Sequence, residues 1–232
     1  MWKRRSVLAT GAALSIGTGL ASMGVGASEA DIGELPDPDR NPGPNEDWPS
    51  YRGDPGHARY IADGHEFDGE SLEVAWSVDH DGSVAVADDT VYTTTADGVV
   101  ALDAADGTLV WGNADIDAGA PAVAGETVYL DGGEIVALDR DDGGVRWESD
   151  LGPEEWTGSH TAAYDGVFVV VDGTLSALEA DDGSVRWRKE SAVVESGDGD
   201  EHESGFITGT AAANGVVYAG TETGTFAFDP AT

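Results

Sequence analysis

The sequence predicts an all-β fold: a β-propeller of four-stranded antiparallel blades, three complete and a fourth incomplete. Three observations lead there. Tryptophans at 76, 111, 147 and 187 lie 35, 36 and 40 residues apart, a period shared by repeat architectures whose single unit cannot bury its apolar face alone. The stretch Ala101–Trp111 (ALDAADGTLVW) returns as Ala137–Trp147 (ALDRDDGGVRW) and as Ala177–Trp187 (ALEADDGSVRW), and begins again at Ala227 (AFDPAT). Between these copies apolar and polar residues alternate around turn-forming Asp and Gly, with no helical period after residue 27. A β-sandwich would match the strand content but would not repeat a turn and a tryptophan in register.

Each unit divides into strands joined at hairpin spacing. The first unit predicts strands over Ser83–Ala87, Thr90–Thr95, Val99–Asp103 and Thr108–Trp111. The second repeats the plan over Pro121–Ala124, Thr127–Leu130, Ile135–Asp139 and Val145–Glu148. The third does so over Thr161–Tyr164, Val167–Val171, Leu175–Glu179 and Val185–Arg188. The fourth offers Thr210–Ala213, Val216–Gly220 and Thr225–Asp229, without a tryptophan strand.

Strand parity then sorts the connections. In a four-stranded meander the first–second and third–fourth connections share one face, and the second–third turns and interblade links share the other. The Asp-Gly turns therefore belong to a uniform face. The links at 77–82, 112–119, 149–160 and 189–205 lengthen along the chain. Non-repeating residues on a variable face are where repeat proteins bind. The candidate binding-face residues are accordingly Glu154, Glu155, Trp156 and His160 in the third link, and Asp198, Asp200 and His202 in the last. Solvated acidic loops account for the same residues.

The chain has 45 acidic residues against 11 Lys and Arg, a formal charge of −34, which repels nucleic acid and anionic lipid and excludes a nucleic-acid role. The acids are spread through every repeat, and the only lysines are Lys3 and Lys189. This pattern suits a halophile in molar salt, where the screening length is about 3 Å. With no cysteine, neither a disulfide framework nor lipid attachment through cysteine is available.

The N-terminus has its own logic. Lys3, Arg4 and Arg5 precede an uncharged stretch of small residues ending Val25-Gly26-Ala27. Residues 1–27 therefore read as a twin-arginine-type signal that exports the folded protein to the cell surface or beyond, the alternative being an uncleaved anchor. Residues 28–47 are an acidic, proline-rich linker, and residues 48–232 form the propeller repeats. Trp48–Tyr60 carries three aromatics and is expected to lie along the domain. No transmembrane domain is expected in the mature chain.

Motifs for chemistry are absent: there is no HExxH, no Gly-x-Ser-x-Gly and no Walker loop. The turn at Asp139–Gly143 echoes a calcium loop, but a strand follows at once and the twelfth-position glutamate is missing. A solvated hairpin turn is the preferred reading.

The recurring stretch resembles the tryptophan-docking motif, Ala-x-Asp-x-x-Thr-Gly-x-x-x-Trp, of pyrroloquinoline-quinone (PQQ)-type propellers. That group holds quinoprotein alcohol dehydrogenases and non-enzymatic relatives similar to BamB. Ala101, Asp103, Gly107 and Trp111 fit it, as do Ala137, Asp139, Gly143 and Trp147. In the third copy Ala177, Gly183 and Trp187 fit, and Glu179 replaces Asp. Asp106, Asp142 and Asp182 stand at the Thr position. The resemblance implies that each tryptophan wedges between blades, a structural role. The enzymes of the group add a quinone site, with a vicinal cysteine pair and a calcium held by Glu, Asn and Asp. Neither PQQ nor calcium is therefore expected here.

The expected function is an exported, non-catalytic propeller that binds or scaffolds an unidentified protein or surface ligand. The alternatives are a fragment of a PQQ-dependent dehydrogenase-like quinoprotein and a carbohydrate-active propeller with paired carboxylates. Two accounts fit the incomplete fourth unit: a piece of a larger propeller, which is preferred, or a four-blade ring in which Leu72–Val78 supplies the missing strand.

Overall fold

The computed structural model describes residues 47–50, 52–57, 73–149, 151, 159–195 and 200–232. The signal and nearly all of the linker lie outside the described residues. Blade 1 is β1 (Val84–Ala87), β2 (Thr90–Thr95), β3 (Gly98–Asp103) and β4 (Leu109–Asn113). Blade 2 is β5 (Pro121–Ala124), β6 (Thr127–Leu130), β7 (Ile135–Asp139) and β8 (Val145–Ser149). Blade 3 is β9 (Thr161–Ala163), β10 (Gly166–Val171), β11 (Thr174–Glu179) and β12 (Val185–Lys189). A two-stranded hairpin, β13 (Ala192–Glu195) and β14 (Glu201–Ser204), precedes blade 4, which is β15 (Phe206–Ala213), β16 (Val216–Thr221) and β17 (Thr225–Phe228). Each of the first three blades is a four-stranded antiparallel meander and the fourth a three-stranded one. The chain is a β-propeller, all-β among the described residues.

Two stretches differ from the sequence expectation. The last link is not one continuous loop, because Val193 pairs with Glu203 and Val194 with His202 in the β13–β14 hairpin. Ala192 anchors this hairpin in the apolar cluster of Val170, Leu175 and Phe206. Strand β15 also starts four residues earlier than expected, since Phe206 pairs with Thr221 across a register shift.

The first–second turns hold two residues each, and local chemistry explains their tightness. Asp88-Asp89, Tyr164-Asp165 and Asn214-Gly215 adopt positive φ at both positions, which matches the right-handed twist of the flanking strands. The core lies between blades rather than within them. Tyr129, Ile135 and Trp147 of blade 2 pack with Val167, Val169 and Leu178 of blade 3. Tyr92, Val99 and Trp111 of blade 1 pack in the same way with Val128, Leu130 and Leu138 of blade 2. Strand β10, GVFVVV, is buried along its whole length because blades cover both of its faces.

The segment before the repeats crosses the first strands of three blades. Trp48 exchanges backbone hydrogen bonds with Val86 of β1, and the Pro49 carbonyl accepts from Val123 of β5. The Pro55 carbonyl accepts from Ala212 of β15, and His57 Nε2 donates to the Thr210 carbonyl at 2.7 Å. These bonds occupy strand edges that would otherwise present unpaired backbone groups. Tyr51 and Tyr60, the other aromatics of this segment, lie outside the described residues.

Candidate binding faces

On the uniform face one device recurs. The indole N–H of Trp111 donates to the Arg140 carbonyl at 2.8 Å, and that of Trp147 to the Ala180 carbonyl at 2.8 Å. Trp187 donates to the Pro230 carbonyl at 3.1 Å, and Trp76 to the Ala104 carbonyl at 2.9 Å. Each acceptor stands directly after the Asp or Glu of the following copy, so every tryptophan reaches across to the next blade. Glycine is required where the ring lands. A Cβ on Gly143 would sit 2.4 Å from Trp111, and one on Gly183 would sit 2.5 Å from Trp147. Both glycines also have positive φ, 73° and 71°, where a side chain meets steric resistance. Trp111 and Trp147 are each 8% exposed, and burying about 150–250 Å² of indole is worth about 4–6 kcal/mol.

The acids of these turns are engaged. Asp103 and Asp139 each accept the N–H two residues on, from Ala105 at 2.8 Å and Asp141 at 2.9 Å. Asp106, Asp142 and Asp182, at the motif's threonine position, accept from Thr108, Gly144 and Ser184 at 2.9, 2.8 and 2.9 Å. A short carboxylate thus does the turn-closing work of a hydroxyl. At the bulge where β7 meets β8, Arg146 folds back on Asp139 at 2.7 Å. Arg186 likewise reaches Glu179 at 2.7 Å. The side-chain hydrogen bonds from Arg146 and Arg186 hold the Asp139 and Glu179 carboxyls below their ordinary range.

Four members of the core stand outside the docking motif. Tyr92 lies 5.9 Å from Trp111 and Tyr129 lies 5.9 Å from Trp147, ring centre to ring centre, with Phe168 at 6.1 Å from Trp187. Their signal is visible in the second strands, which read Thr-Val-Tyr92, Thr-Val-Tyr129, Gly-Val-Phe168 and Val-Val-Tyr218. Burial raises the hydroxyl pKa of Tyr92 and of Tyr129. Asp131 is the other. It is 3% exposed, accepts the Ala120 N–H at 2.5 Å, and approaches so closely that a Cβ on Gly119 would meet its Oδ1 at 2.0 Å.

On the link face, the candidate residues fare differently. Glu154, Glu155, Trp156 and Asp198 lie outside the described residues. Asp200 and His202 are exposed on the β13–β14 hairpin. His160 is not part of an open surface: its side chain is 2% exposed and its Nδ1 lies 3.6 Å from Asp131 Oδ2. Neither ring nitrogen has a hydrogen-bond partner among the described residues. This buried contact joins the residue before β9 to the residue after β6.

Two clefts remain. One, of about 480 Å³, lies against β15 and β16 of blade 4 between Arg52, His57, Ser159, Thr210, Tyr218 and Thr225. The other, of about 380 Å³, opens between blades 2 and 3 on the turn face, against Glu126, Tyr129, Arg146, Tyr164, Asp165 and Asp181. Among the described residues, the first is lined by no carboxylate and the second by Glu126, Asp165 and Asp181. Among the described residues, no helix is long and apolar enough to cross a membrane.

Comparison with known proteins sets this geometry in a family. The model of the family described as outer membrane protein assembly factor BamB matches residues 65–232. No curated protein sequence matches the chain. Among solved structures, quinohemoprotein alcohol dehydrogenase ADHIIG from Pseudomonas putida HK5 is similar at a TM-score of 0.59 and 18% identity, over 80% of this chain and 39% of that one. The computationally designed Ika4 protein is similar at 0.52 and 16% identity, over 68% of this chain and 99% of that one. BamB from Moraxella catarrhalis aligns at 0.43 and 19% identity, over 66% of this chain and 59% of that one. The chain thus spans less than two thirds of the dehydrogenase and of the Moraxella protein, and identities this low speak to the fold alone. The family match, by contrast, runs over the same residues as the blades and their docking tryptophans, and by it the chain belongs to the PQQ-type propeller family of the outer membrane protein assembly factor BamB.

Proposed function

We propose that this protein is an exported, non-catalytic propeller that binds or scaffolds another protein at or outside the cell surface. The observation that carries the reading is the division of labour between the faces. Conserving one turn and one indole contact in successive blades builds a rigid platform, and the irregular elements, the β13–β14 hairpin above all, stand on the opposite face. Membership in a family described by outer-membrane assembly supports an extracytoplasmic place for it. The arginine pair at Arg4 and Arg5 supports export of the folded chain.

The charge of −34 supports a home in molar salt, where self-repulsion is screened. Circular dichroism should show β-structure gained between dilute buffer and molar salt. A flat signal across that range would overturn the halophile reading.

The functional test is capture. Full-length protein, cross-linked in its own cell envelope and purified under denaturing conditions, should carry one or a few reproducible protein partners. Recovery of no cross-linked partner, together with dye-linked alcohol oxidation on addition of PQQ, would overturn the scaffold reading in favour of the dehydrogenase.

A further inference from the structure

The two-residue turns that join first and second strands read Asp88-Asp89, Gly125-Glu126, Tyr164-Asp165 and Asn214-Gly215 along the chain. The last is chemically unlike the others, because it is the one Asn-Gly pair in the sequence. An asparagine followed by glycine can modify itself. The glycine nitrogen gives its proton to a solvent base and attacks the asparagine Cγ, a C–N bond forms, and Nδ2 leaves as ammonia. Water then opens the succinimide ring at either carbonyl, to aspartate or to isoaspartate. Glycine favours the attack because no Cβ obstructs it.

The surroundings of this pair decide how fast that reaction runs. Asn214 is exposed, so water and base reach it. The turn itself is closed: Asn214 and Gly215 have φ of 53° and 76°, and Ala213 pairs with Val216 across it. The attacking nitrogen is already engaged, because the Gly215 N–H donates to the Tyr164 hydroxyl at 2.8 Å. Tyr164 comes from the equivalent turn of blade 3, and its ring packs against the cluster of Phe168, Ala177, Ala212 and Val217 that joins blades 3 and 4. Gly215 is buried, so water replaces that hydroxyl only if the turn opens.

We propose that Asn214 is a self-modification site, kept slow in the folded chain because Tyr164 of the neighbouring blade holds the attacking nitrogen of Gly215. Tyr164 is a positioning residue here and takes no part in the bond changes. The two products differ in consequence. Aspartate is the residue that blade 1 carries at the same place, Asp88, with φ of 43°, so the turn accommodates it. Isoaspartate adds a methylene to the main chain, and Ala213 then no longer faces Val216 in register. The proposal stands apart from the scaffold reading, since it needs no partner.

The test holds the full chain, its Tyr164→Phe variant and a blocked Ala-Asn-Gly-Val peptide in molar salt at mildly alkaline pH. Peptide mapping then follows aspartate and isoaspartate at each asparagine. The unmodified chain should convert Asn214 at least about tenfold more slowly than the peptide, and Tyr164→Phe should raise that rate by about fivefold to tenfold, the loss of one hydrogen bond. Asn113, which precedes Ala114 and donates to the Gly143 carbonyl at 2.9 Å, is the internal control and should not change in either protein. Conversion of Asn214 at the peptide's rate, an unchanged rate in Tyr164→Phe, or an equal rise at Asn113 would overturn the proposal. Should Tyr164→Phe fail to fold, hydrogen exchange of the unsubstituted chain decides. The Gly215 N–H must exchange at least about tenfold more slowly than in the peptide, or the proposal fails.

Discussion

On the turn face the same bonds recur in successive blades, whereas on the link face no two connections are alike. The first face repeats Asp103, Asp139 and Glu179 at the head of a turn, a glycine with positive φ at its tail, and an indole from the preceding blade laid over that glycine. The second carries the Asp131–His160 contact in one link and a two-stranded hairpin in another. The difference lies in what each connection must accomplish. Third–fourth turns lie where adjacent blades meet, so one sequence solves one packing problem repeatedly. Links only have to span the distance to the next first strand, and any sequence long enough can do so.

The strongest way to break this comparison is to remove an indole. Trp111→Ala and Trp147→Ala should each destabilise the fold by about 3–5 kcal/mol. Trp187, which is only half-buried, should cost less. Urea denaturation of the three variants checks the order. If Trp147→Ala proves no worse than a substitution on the hairpin, the turn face is not the platform described above.

A second contrast isolates the glycine. Gly143→Ala puts a Cβ at 2.4 Å from Trp111 on a backbone with φ of 73°, and should cost about 2–4 kcal/mol through strain and overpacking together. Gly125→Ala has φ of 57° but nothing within 4 Å of the new Cβ. It should lose only the backbone cost, about 1–2 kcal/mol. Similar losses at the two sites would show that the docked ring yields freely, against the packing argument.

The turn face was legible in the sequence because its constraint is local and repeated. Asp103, Gly107 and Trp111 fall within one short stretch, and so do their counterparts. Tyr92, Tyr129 and Phe168 were equally repeated, yet a tyrosine in an alternating strand satisfies either face, so only the packing reveals that they meet the indoles. The link face was legible far less well. His160 is buried beside Asp131 of the preceding blade, and nothing in either local sequence encodes that meeting. The hairpin was hidden for another reason: Glu201-His-Glu-Ser204 has no apolar alternation, and its strand exists through pairing with Val193 and Val194.

Acid should sharpen the contrast in a different way. Asp139 and Glu179 are held low chiefly by hydrogen bonds from Arg146 and Arg186. Asp106 and Asp182 are held low by hydrogen bonds from Thr108 and Ser184. The unfolded chain has none of these, so the folded-state values lie below the unfolded ones. Their contribution is therefore complete above the ordinary carboxylate range and is lost as pH falls through the depressed folded values. Stability followed from neutral pH into the acid range should decline, and Arg146→Gln should make that decline shallower by releasing Asp139. An unchanged slope in Arg146→Gln would mean that the exposed pair is too well solvated to matter.

The smallest expected effect on stability carries the most about function. Asp200 and His202 are exposed on the hairpin, and no core cluster includes them. Asp200→Asn with His202→Ala should leave the unfolding midpoint almost where it was, within about 0.5 kcal/mol, as for other surface changes away from caps and cores. The same double variant should lower the yield of cross-linked partner in the envelope, because the residues it alters belong to the face that blade packing leaves unconstrained. Trp147→Ala, tested at a salt and temperature where it remains folded, should do the reverse: large loss of stability, little loss of capture. If instead capture follows stability through both variants, the link face has no binding role of its own, and the partner reads the rigid turn face that the indoles build.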